Sequence, residues 1–339
     1  MKPTIYDVAR EAQVSIATVS KVINDSGRIS DKTKQRVIAI MEKMKYQPSV
    51  VASALTGKQT FTIGLFIPDL ANPFFAEIAR YVEDRAQENG FSVVMCSTDH
   101  NIEKESKYIE LLRQKRVDGF ILASGFINDE ILKELIEEKF PVVMVAQDFP
   151  TRTMDSVSTD DFFGGYIVGK HLLELGHKSI GVLAENWKAG TLELRWSSIE
   201  RLRGIRQAMA EAQVPFHEEH LVICDSSVES GRASSAKFFE GKSGPTAIFA
   251  TNDVLAIGVV QAAREHKKKL PEDVSIVGFD NTLLSTIVDP RLTTVAHPMA
   301  EMARNAMELL LNRMQDKDRM SSRIILPPEL IKRDSTRPL

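Results

Sequence analysis

The sequence predicts an α/β protein in two parts, a small head of three helices followed by a larger body of buried parallel sheets. Within the first 45 residues, apolar residues recur at the spacing of amphipathic helices. From about residue 61, short apolar runs alternate with amphipathic helical stretches, which is typical of parallel sheets covered on both faces. A length of 339 residues suits two or three folding units.

The head carries the local signals of a helix-turn-helix unit. Thr4 and Asp7 fit a capping box before a first helix, and Ser15 is placed to cap a second helix over residues 16–24. A third helix is expected over 31–45, with an inward face of Val37, Ile38, Met41 and Met44. Three short helices on a shared core would present the second one to a DNA major groove about 12 Å wide. An ordinary small helical domain is the alternative that these spacings leave open.

Charge is distributed unevenly along the chain. Residues 1–60 hold ten Lys and Arg against five Asp and Glu, a net charge of +5. The whole chain carries −3, so the remainder carries −8. A basic head on an acidic body favours attraction of the head to phosphates, although basic runs are often only solvated surface.

Bulk composition indicates a globular chain without a membrane segment. It is 43% hydrophobic and 26% charged, with two cysteines, Cys96 and Cys224, that we expect to be reduced and buried. We find neither an apolar leader nor a run of 18 apolar residues, and we expect a cytoplasmic, nucleoid-associated protein.

The body reads as repeated strand and helix units. Strands are predicted at 61–68, 91–98, 117–124, 141–147, 179–185, 221–226, 247–252 and 275–281. Helices are predicted at 74–89, 102–115, 128–139, 161–175, 199–213, 229–240 and 253–266. Because so many units exceed one compact sheet, we expect two lobes.

Polar residues follow the predicted strands and mark a candidate crevice. They are Asp69, Asn72, Gln147, Asn252, Asp253, Asp280 and Asn281. Ligands of open parallel sheets bind beyond the carboxyl ends of the strands, so these side chains are expected to converge on one cleft. Any one of them taken alone is equally well explained as a solvated loop residue.

The sequence offers little for an enzyme. It shows no Walker-type phosphate loop, no metal-spaced His and Cys cluster and no nucleophile elbow. We therefore expect no catalytic residues, no metal and no cofactor.

Taken together, the motifs resemble the lactose/galactose-repressor (LacI/GalR) family of bacterial transcription regulators, and within it the Gram-positive regulators of the degradation-activator type. The resemblance covers nearly the whole chain. It rests on IYDVAREAQVSIATVSKVIN, YQPSVVASALTGK, IGLFIPDLANPFF, VDGFIL, DDFFGGYIVGKHLLELGHKSIGVL, ERLRGIRQAM, AIFATNDVLAIGVVQAA, SIVGFDN, LTTVAHP and ILPPELIKRDST.

The resemblance implies a division of the chain. It gives a helix-turn-helix domain at 1–48, a hinge helix and linker at 49–59, and a core at 60–339 made of two Rossmann-like lobes of the periplasmic-binding-protein type. The chain is expected to cross between lobes near residues 160, 290 and 322. The first lobe would hold 60–160 and 290–322, and the second 161–289 and 323–339.

The resemblance also implies DNA-contacting residues. These are Thr4, Ser15, Ile16, Ala17, Thr18, Ser20, Lys21, Asn24, Tyr46, Ser53 and Leu55. Ile16, Ala17 and Lys21 match base-reading positions, and Leu55 matches the leucine that kinks the minor groove. A core or staple role is the alternative for Ile16. Lys21 and Ser53 stand where many relatives carry Arg, and Ser49 stands where Asn is common, so contacts with DNA are expected to differ from those of better-matched relatives.

The effector-binding residues implied by the resemblance are Asn72, Phe74, Phe75, Gln147, Asp160, Arg201, Asn252, Asp280 and His297. Phe rings would stack on a sugar, and the polar groups would bind its hydroxyls. Core packing is the alternative for both Phe residues. Ala146-Gln147 stands where many relatives have Asp-Arg, and His297 where Gln is frequent. A phosphorylated or acidic metabolite therefore remains an alternative to a plain sugar.

The expected function is a homodimeric transcription regulator, a repressor by default, that binds a pseudo-palindromic operator under control of a small-molecule effector. A secreted sugar-binding protein and a Rossmann-like enzyme are the alternatives outside this class. Within it, a protein co-repressor in place of a small molecule stays open. The absence of a leucine heptad near the end of the sequence favours dimers over tetramers.

Overall fold

The computed structural model describes residues 3–23, 26–46, 59–123, 126–147, 153–186, 191–240 and 244–339. The chain divides into two compact units, Met1–Thr60 and Phe61–Leu339. None of the described helices is both long enough and apolar enough to cross a membrane.

The first unit contains three helices, α1 (Ile5–Glu11), α2 (Ile16–Ile23) and α3 (Asp31–Lys43). The predicted capping box is present, since the Thr4 hydroxyl accepts from the Asp7 amide and the Asp7 carboxylate accepts from the Thr4 amide. The shared core consists of Val8, Ala9, Ala12, Val19, Val22 and Val37. One expected inward residue is wrong: Ile38 is 40% exposed, and Ile40 packs against the core instead.

The first lobe of the second unit is a six-stranded parallel sheet in the order β11-β5-β4-β3-β1-β2. Its strands are β1 (Thr62–Ile67), β2 (Ser92–Ser97), β3 (Gly119–Ala123), β4 (Val142–Val145), β5 (Asp155–Thr159) and β11 (Arg323–Leu326). Its helices are α4 (Pro73–Glu88), α5 (Ile102–Gln114), α6 (Asp129–Glu137) and α12 (Met299–Gln315). Helices α4 and α12 cover one face of the sheet, and α5 and α6 cover the other.

The second lobe has a six-stranded sheet in the order β12-β10-β9-β8-β6-β7, parallel except for the β10–β12 pair. Its strands are β6 (Ile180–Glu185), β7 (Leu221–Cys224), β8 (Ala247–Ala250), β9 (Ser275–Asp280), β10 (Thr293–Ala296) and β12 (Glu329–Ile331). Its helices are α7 (Asp161–Glu174), α8 (Trp196–Glu211), α9 (Val228–Ser235), α10 (Asp253–Glu265) and α11 (Leu283–Ile287), with short 3₁₀ turns at Glu218–His220 and Ala236–Phe238. Helices α7 and α8 pack on one face and α10 on the other.

Three crossings connect the lobes, and two of them lie later in the chain than expected. The first crossing lies at residue 160, between β5 and α7. Because β10 pairs with β9 in the second sheet, the return expected near 290 occurs at 297–298. Because β11 pairs with β5 in the first sheet, the last crossing occurs at 327–328 rather than near 322. The first lobe thus ends with residue 326 and the second begins again at 329.

Glycines let α7 and α8 approach backbone to backbone. A β-carbon at Gly165 would lie 1.9 Å from the carbonyl oxygen of Arg201, and one at Gly204 would lie 2.0 Å from that of Phe162. No side chain fits at either position without moving a helix. This close packing of α7 against α8 fixes the position of Arg201 relative to the first crossing at residue 160.

Candidate functional site

A cleft between the two lobes is lined by residues that follow strand ends in both sheets, as open parallel sheets predict. It consists of an inner chamber of about 40 Å³ and an outer chamber of about 380 Å³, which share Asn72, Phe75, Glu185 and Arg195. The inner chamber is also lined by Phe74, Ala146, Ser197, Arg201, Asn252, Asp280 and His297. The outer chamber is also lined by Asp69, Asp99, His100, Ile127, Asn186, Asp225 and Ser226.

Arg201 on α8 is a buried cation held from three sides. Its Nε donates to Asp161 Oδ1 at 2.8 Å, and its Nη2 lies 2.8 Å from the same oxygen. Its Nη1 donates to the carbonyl of Thr251. The guanidinium also lies flat against Phe279, with Cζ 3.6 Å from the ring centre. The plane and position of Arg201 are therefore fixed before any ligand arrives.

His297, at the second crossing, bonds to both lobes. Its Nδ1 lies 2.6 Å from the Thr159 hydroxyl, at the end of β5 in the first lobe. Its Nε2 lies 3.2 Å from Asp280 Oδ1, at the end of β9 in the second lobe. Burial, together with the Arg201 charge, lowers the pKa of His297 to about 3. The neutral ring thus lies within hydrogen-bonding distance of one side chain in each lobe, which makes it a link between the lobes.

Asp280 has an unusual backbone and an unusual carboxyl. Its φ of 114° is one that side chains rarely adopt. Burial raises the pKa of Asp280 well above its usual range, and the Arg201 guanidinium, 4.0 Å away, only partly opposes this.

Asn252 and Arg195 complete the polar wall on the second-lobe side. Asn252 caps α10 through its carbonyl oxygen, which accepts from the Leu255 amide at 2.8 Å. Its Nδ2 donates to Glu185 Oε2 at 3.2 Å. The Nε of Arg195 lies 3.1 Å from Glu185 Oε1, and its Nη2 lies 3.4 Å from His100 Nε2 across the cleft.

The aromatic residues form the apolar side of the inner chamber. Phe74 and Phe75 begin α4, whose N-terminus is capped by Asn72 through a 3.0 Å bond to the Phe74 amide. Both rings are buried and belong to the core of the first lobe, yet both line the chamber. The Phe74 ring centre lies 5.0 Å from that of His297. Core packing and chamber lining are thus combined in the same residues.

Seven of the nine predicted effector residues line the inner chamber, and two do not. Asp160 caps α7 by accepting from the Phe163 amide at 2.9 Å. Gln147 is buried beside Ala146 and lines neither chamber. The sequence patterns did not single out several residues that the structure places in or behind the wall, among them His100, Asp161, Glu185, Arg195 and Asp225. Glu185 ends a predicted strand and could have been found by that signal.

In the head, the second helix presents the predicted base-reading residues to solvent. Ile16 is 41% exposed, and Ala17 and Lys21 are also exposed, whereas Val19 and Val22 face the core. The core alternative for Ile16 therefore does not hold.

The other predicted DNA-contacting residues have mixed surroundings. The Ser15 hydroxyl accepts from the Thr18 amide at 3.1 Å and so caps α2. Ser20 is half-buried, and Tyr46 packs against the head core, where burial raises its pKa. Thr4 is engaged in its capping box. Asn24, Ser53 and Leu55 lie outside the described residues.

Among the described residues, no group of three or more His, Cys, Asp and Glu side chains is arranged to hold a metal ion. Both cysteines are buried, and burial raises the pKa of each thiol to about 11.

Family comparisons agree with both parts of the chain. Residues 4–49 match the model of bacterial regulatory proteins of the lacI family, and residues 170–336 match a periplasmic binding protein-like domain. The regulator DegA of Bacillus subtilis is 46% identical over 100% of this chain and 99% of its own length. Catabolite control protein A of Priestia megaterium is 36% identical over 99% of this chain and 100% of its own.

Solved structures share the architecture. The lac repressor dimer bound to operator and the anti-inducer ONPF has a TM-score of 0.85 at 28% identity, covering 99% of this chain and all of the other. The regulator CelR in its cellobiose complex has a TM-score of 0.74 at 27% identity, covering 98% of this chain and all of the other. A LacI family regulator from Enterococcus faecium with bound ribose has a TM-score of 0.71 at 34% identity, covering 82% and 99%.

A helix-turn-helix head on a two-lobed periplasmic-binding-protein-like core defines a class of DNA-binding transcription regulators. The chain belongs to the LacI family of that class.

Proposed function

We propose that this regulator is a homodimeric repressor whose binding to a pseudo-palindromic operator is controlled by a sugar or sugar derivative in the cleft. It acts by binding, without catalysis, in the cytoplasm where its operator lies. The effector proposal is supported by two relatives in structure, one described with cellobiose and one with ribose. The Phe74 and Phe75 rings beside fixed polar groups supply the stacking and hydrogen-bonding surfaces that a sugar needs.

DNA contact is assigned to the exposed face of α2. Ile16 and Ala17 offer apolar contact to thymine methyl groups, and Lys21 can donate to guanine O6 or N7. Lys21 lacks the two-pronged geometry of Arg, so base discrimination at that position is softer. Leu55 would act as the minor-groove wedge in the linker.

The homodimer proposal has support in an exposed edge of the first lobe. Strand β2 is an edge strand of its sheet and carries two exposed apolar residues, Val94 and Met95, with Met95 51% exposed. Tyr81, on the helix α4 that packs against β2, is 41% exposed. An open strand edge with apolar residues is a surface that proteins normally cover. The lac repressor structure with the same architecture is a dimer.

His297 is the observation that carries the control mechanism. It contacts Thr159 of the first lobe and Asp280 of the second at distances of 2.6 and 3.2 Å, while also lining the inner chamber. A ligand that bonds to Asp280 or His297 would therefore alter a link between the lobes. Reorientation of the lobes is the two-state element that would couple the cleft to DNA binding.

A footprinting experiment on genomic fragments tests the proposal. We expect protection of a palindrome of roughly 14–20 base pairs, because two heads occupy half-sites about one helical turn apart. Affinity should fall steeply with salt, because phosphate contacts release counterions. Protection of a single asymmetric half-site would contradict the dimer, and a flat salt dependence would contradict DNA binding through the basic head.

A further inference from the structure

The cations that line the cleft are already paired with carboxylates of the protein. Both Nε and Nη2 of Arg201 lie 2.8 Å from Asp161 Oδ1. Nε of Arg195 lies 3.1 Å from Glu185 Oε1. All four side chains are at most 16% exposed, so water screens neither pair strongly. Neither guanidinium offers an unneutralised positive charge to a ligand.

The other two titratable groups of the inner chamber add no positive charge. Burial lowers the pKa of His297 to about 3, so its ring is neutral. Burial raises the pKa of Asp280 above its ordinary value, and a carboxyl carries no positive charge in either protonation state. The inner chamber therefore offers hydrogen-bonding groups but no cation beyond the paired guanidinium groups.

The outer chamber is acidic. Four carboxylates line it, those of Asp69, Asp99, Glu185 and Asp225, against one guanidinium, that of Arg195. Lys104 pairs with Asp99 but does not line the chamber. An anion that enters through the outer chamber meets like charge before it reaches Arg201.

The two chambers adjoin and differ in size. They share four lining residues, and the cavity measures about 380 Å³ in the outer chamber and about 40 Å³ in the inner one. Pockets for small molecules usually measure about 300–1,000 Å³. The outer chamber therefore lies within the range of small-molecule pockets.

We propose that the effector is an uncharged polyhydroxylated molecule, and that the cleft excludes sugar phosphates and sugar acids. The proposal rests on the proposed function of the cleft as a sugar site. The hydroxyl groups of the effector bond to His100 and Asp225, which line the outer chamber. Hydroxyl groups suit these walls because each can donate to a carboxylate and accept from a guanidinium.

The physical reason for exclusion is desolvation. An anion loses its hydration in the cleft and finds no free cation to replace it, whereas a hydroxyl loses little and finds partners. This conclusion replaces the phosphorylated or acidic metabolite that the sequence left open. Arg201 and His297, which would read such a ligand, are respectively neutralised by Asp161 and deprotonated.

A matched ligand panel tests the charge claim. Calorimetry on the full-length protein would compare glucose, cellobiose and other neutral disaccharides with glucose 6-phosphate, glucuronate and the aldonic acids of the same disaccharides. We expect at least one neutral sugar to bind at least about tenfold more tightly than its anionic derivatives. An anion that binds as tightly as its neutral parent overturns the charge claim. Binding of no sugar at all contradicts the proposed function itself.

Gain-of-binding variants test the charge argument without knowledge of the natural effector. Asp161→Asn frees Arg201, and Glu185→Gln frees Arg195, so each should acquire saturable binding of inorganic phosphate in a thermal-shift titration. The parent and Asp289→Asn, the same change at a side chain that is 99% exposed, should show none. Two variants are used because either one alone could lower stability, which circular dichroism would reveal. Saturable phosphate binding by the parent, or none by a folded variant, overturns the proposal.

Discussion

Substitution of Gly165 by alanine is expected to destabilise the core severely, because α7 and α8 touch there through their backbones. The new β-carbon would lie 1.9 Å from the carbonyl oxygen of Arg201, where ordinary contact begins at 3.4 Å. The helices would have to separate by about 1.5 Å in an interior packed as densely as a crystal. Overpacking costs about 1–3 kcal/mol, and we expect at least the upper end because a backbone carbonyl cannot rotate away.

Urea unfolding followed by circular dichroism measures this loss of stability, with Lys170→Ala on the exposed side of the same helix as the control. In a separate thermal unfolding experiment, the midpoint temperature should fall by roughly 2–4 °C for each kcal/mol of lost stability. Gly165→Ala and Gly204→Ala together should cost less than the sum of both, because one separation of the helices relieves both contacts. A loss below about 1 kcal/mol for Gly165→Ala, or one equal to the control, would refute the packing argument.

Three further predictions concern Lys21 in the head, the buried His171 and Leu55 in the linker. Lys21→Ala should weaken operator binding about tenfold or more in a gel-shift assay, since a base contact is lost, whereas Lys32→Ala should have a smaller effect that does not depend on sequence. Stability should decrease as the pH falls from about 6.5 towards 4, because burial lowers the pKa of His171 to about 4 and the unfolded chain takes up that proton first. The loss should approach 2 kcal/mol, and it should shrink in His171→Asn, which no longer titrates beside Thr336; an unchanged pH profile would contradict this. Leu55→Ala should weaken operator binding and leave effector affinity intact, and equal loss of both would show that Leu55 is not the wedge.

The head was predictable from sequence because its signals are local. The capping box of Thr4 and Asp7 lies within four residues, and the stripe of Val19 and Val22 follows from helical periodicity. The exception is Ile38, which the spacing predicts to face the core but which lies on the exposed side of α3. When an apolar residue lies at the boundary between the buried and exposed faces of a helix, the local sequence does not indicate which face it belongs to.

The crossings were harder to predict because sheet membership depends on long-range pairing. Strands β10 and β11 are four residues each, and nothing within them tells which sheet they join. Their partners β9 and β5 lie 13 and 164 or more residues earlier in the chain. The second and third crossings, expected near residues 290 and 322, therefore lie a few residues later in the structure.

Part of the cleft also could not be predicted from the local sequence. Asn252 follows β8 and Asp280 ends β9, and this position at the end of an apolar strand predicts both residues. Arg195 and His100 lie in loops of different lobes, and only the fold brings their nitrogens within 3.4 Å. The pairing of Arg201 with Asp161, which decides the charge of the cleft, is likewise a tertiary contact between α7 and α8.

The central claim is that cleft and head are coupled in one chain, and reciprocal binding measures it most directly. Fluorescence anisotropy gives the operator Kd with and without a saturating effector, and calorimetry gives the effector Kd with and without operator. We expect both constants to change by the same factor of about ten or more, since coupling free energies are reciprocal. An operator Kd that is unchanged by a ligand shown to occupy the cleft would contradict the claim.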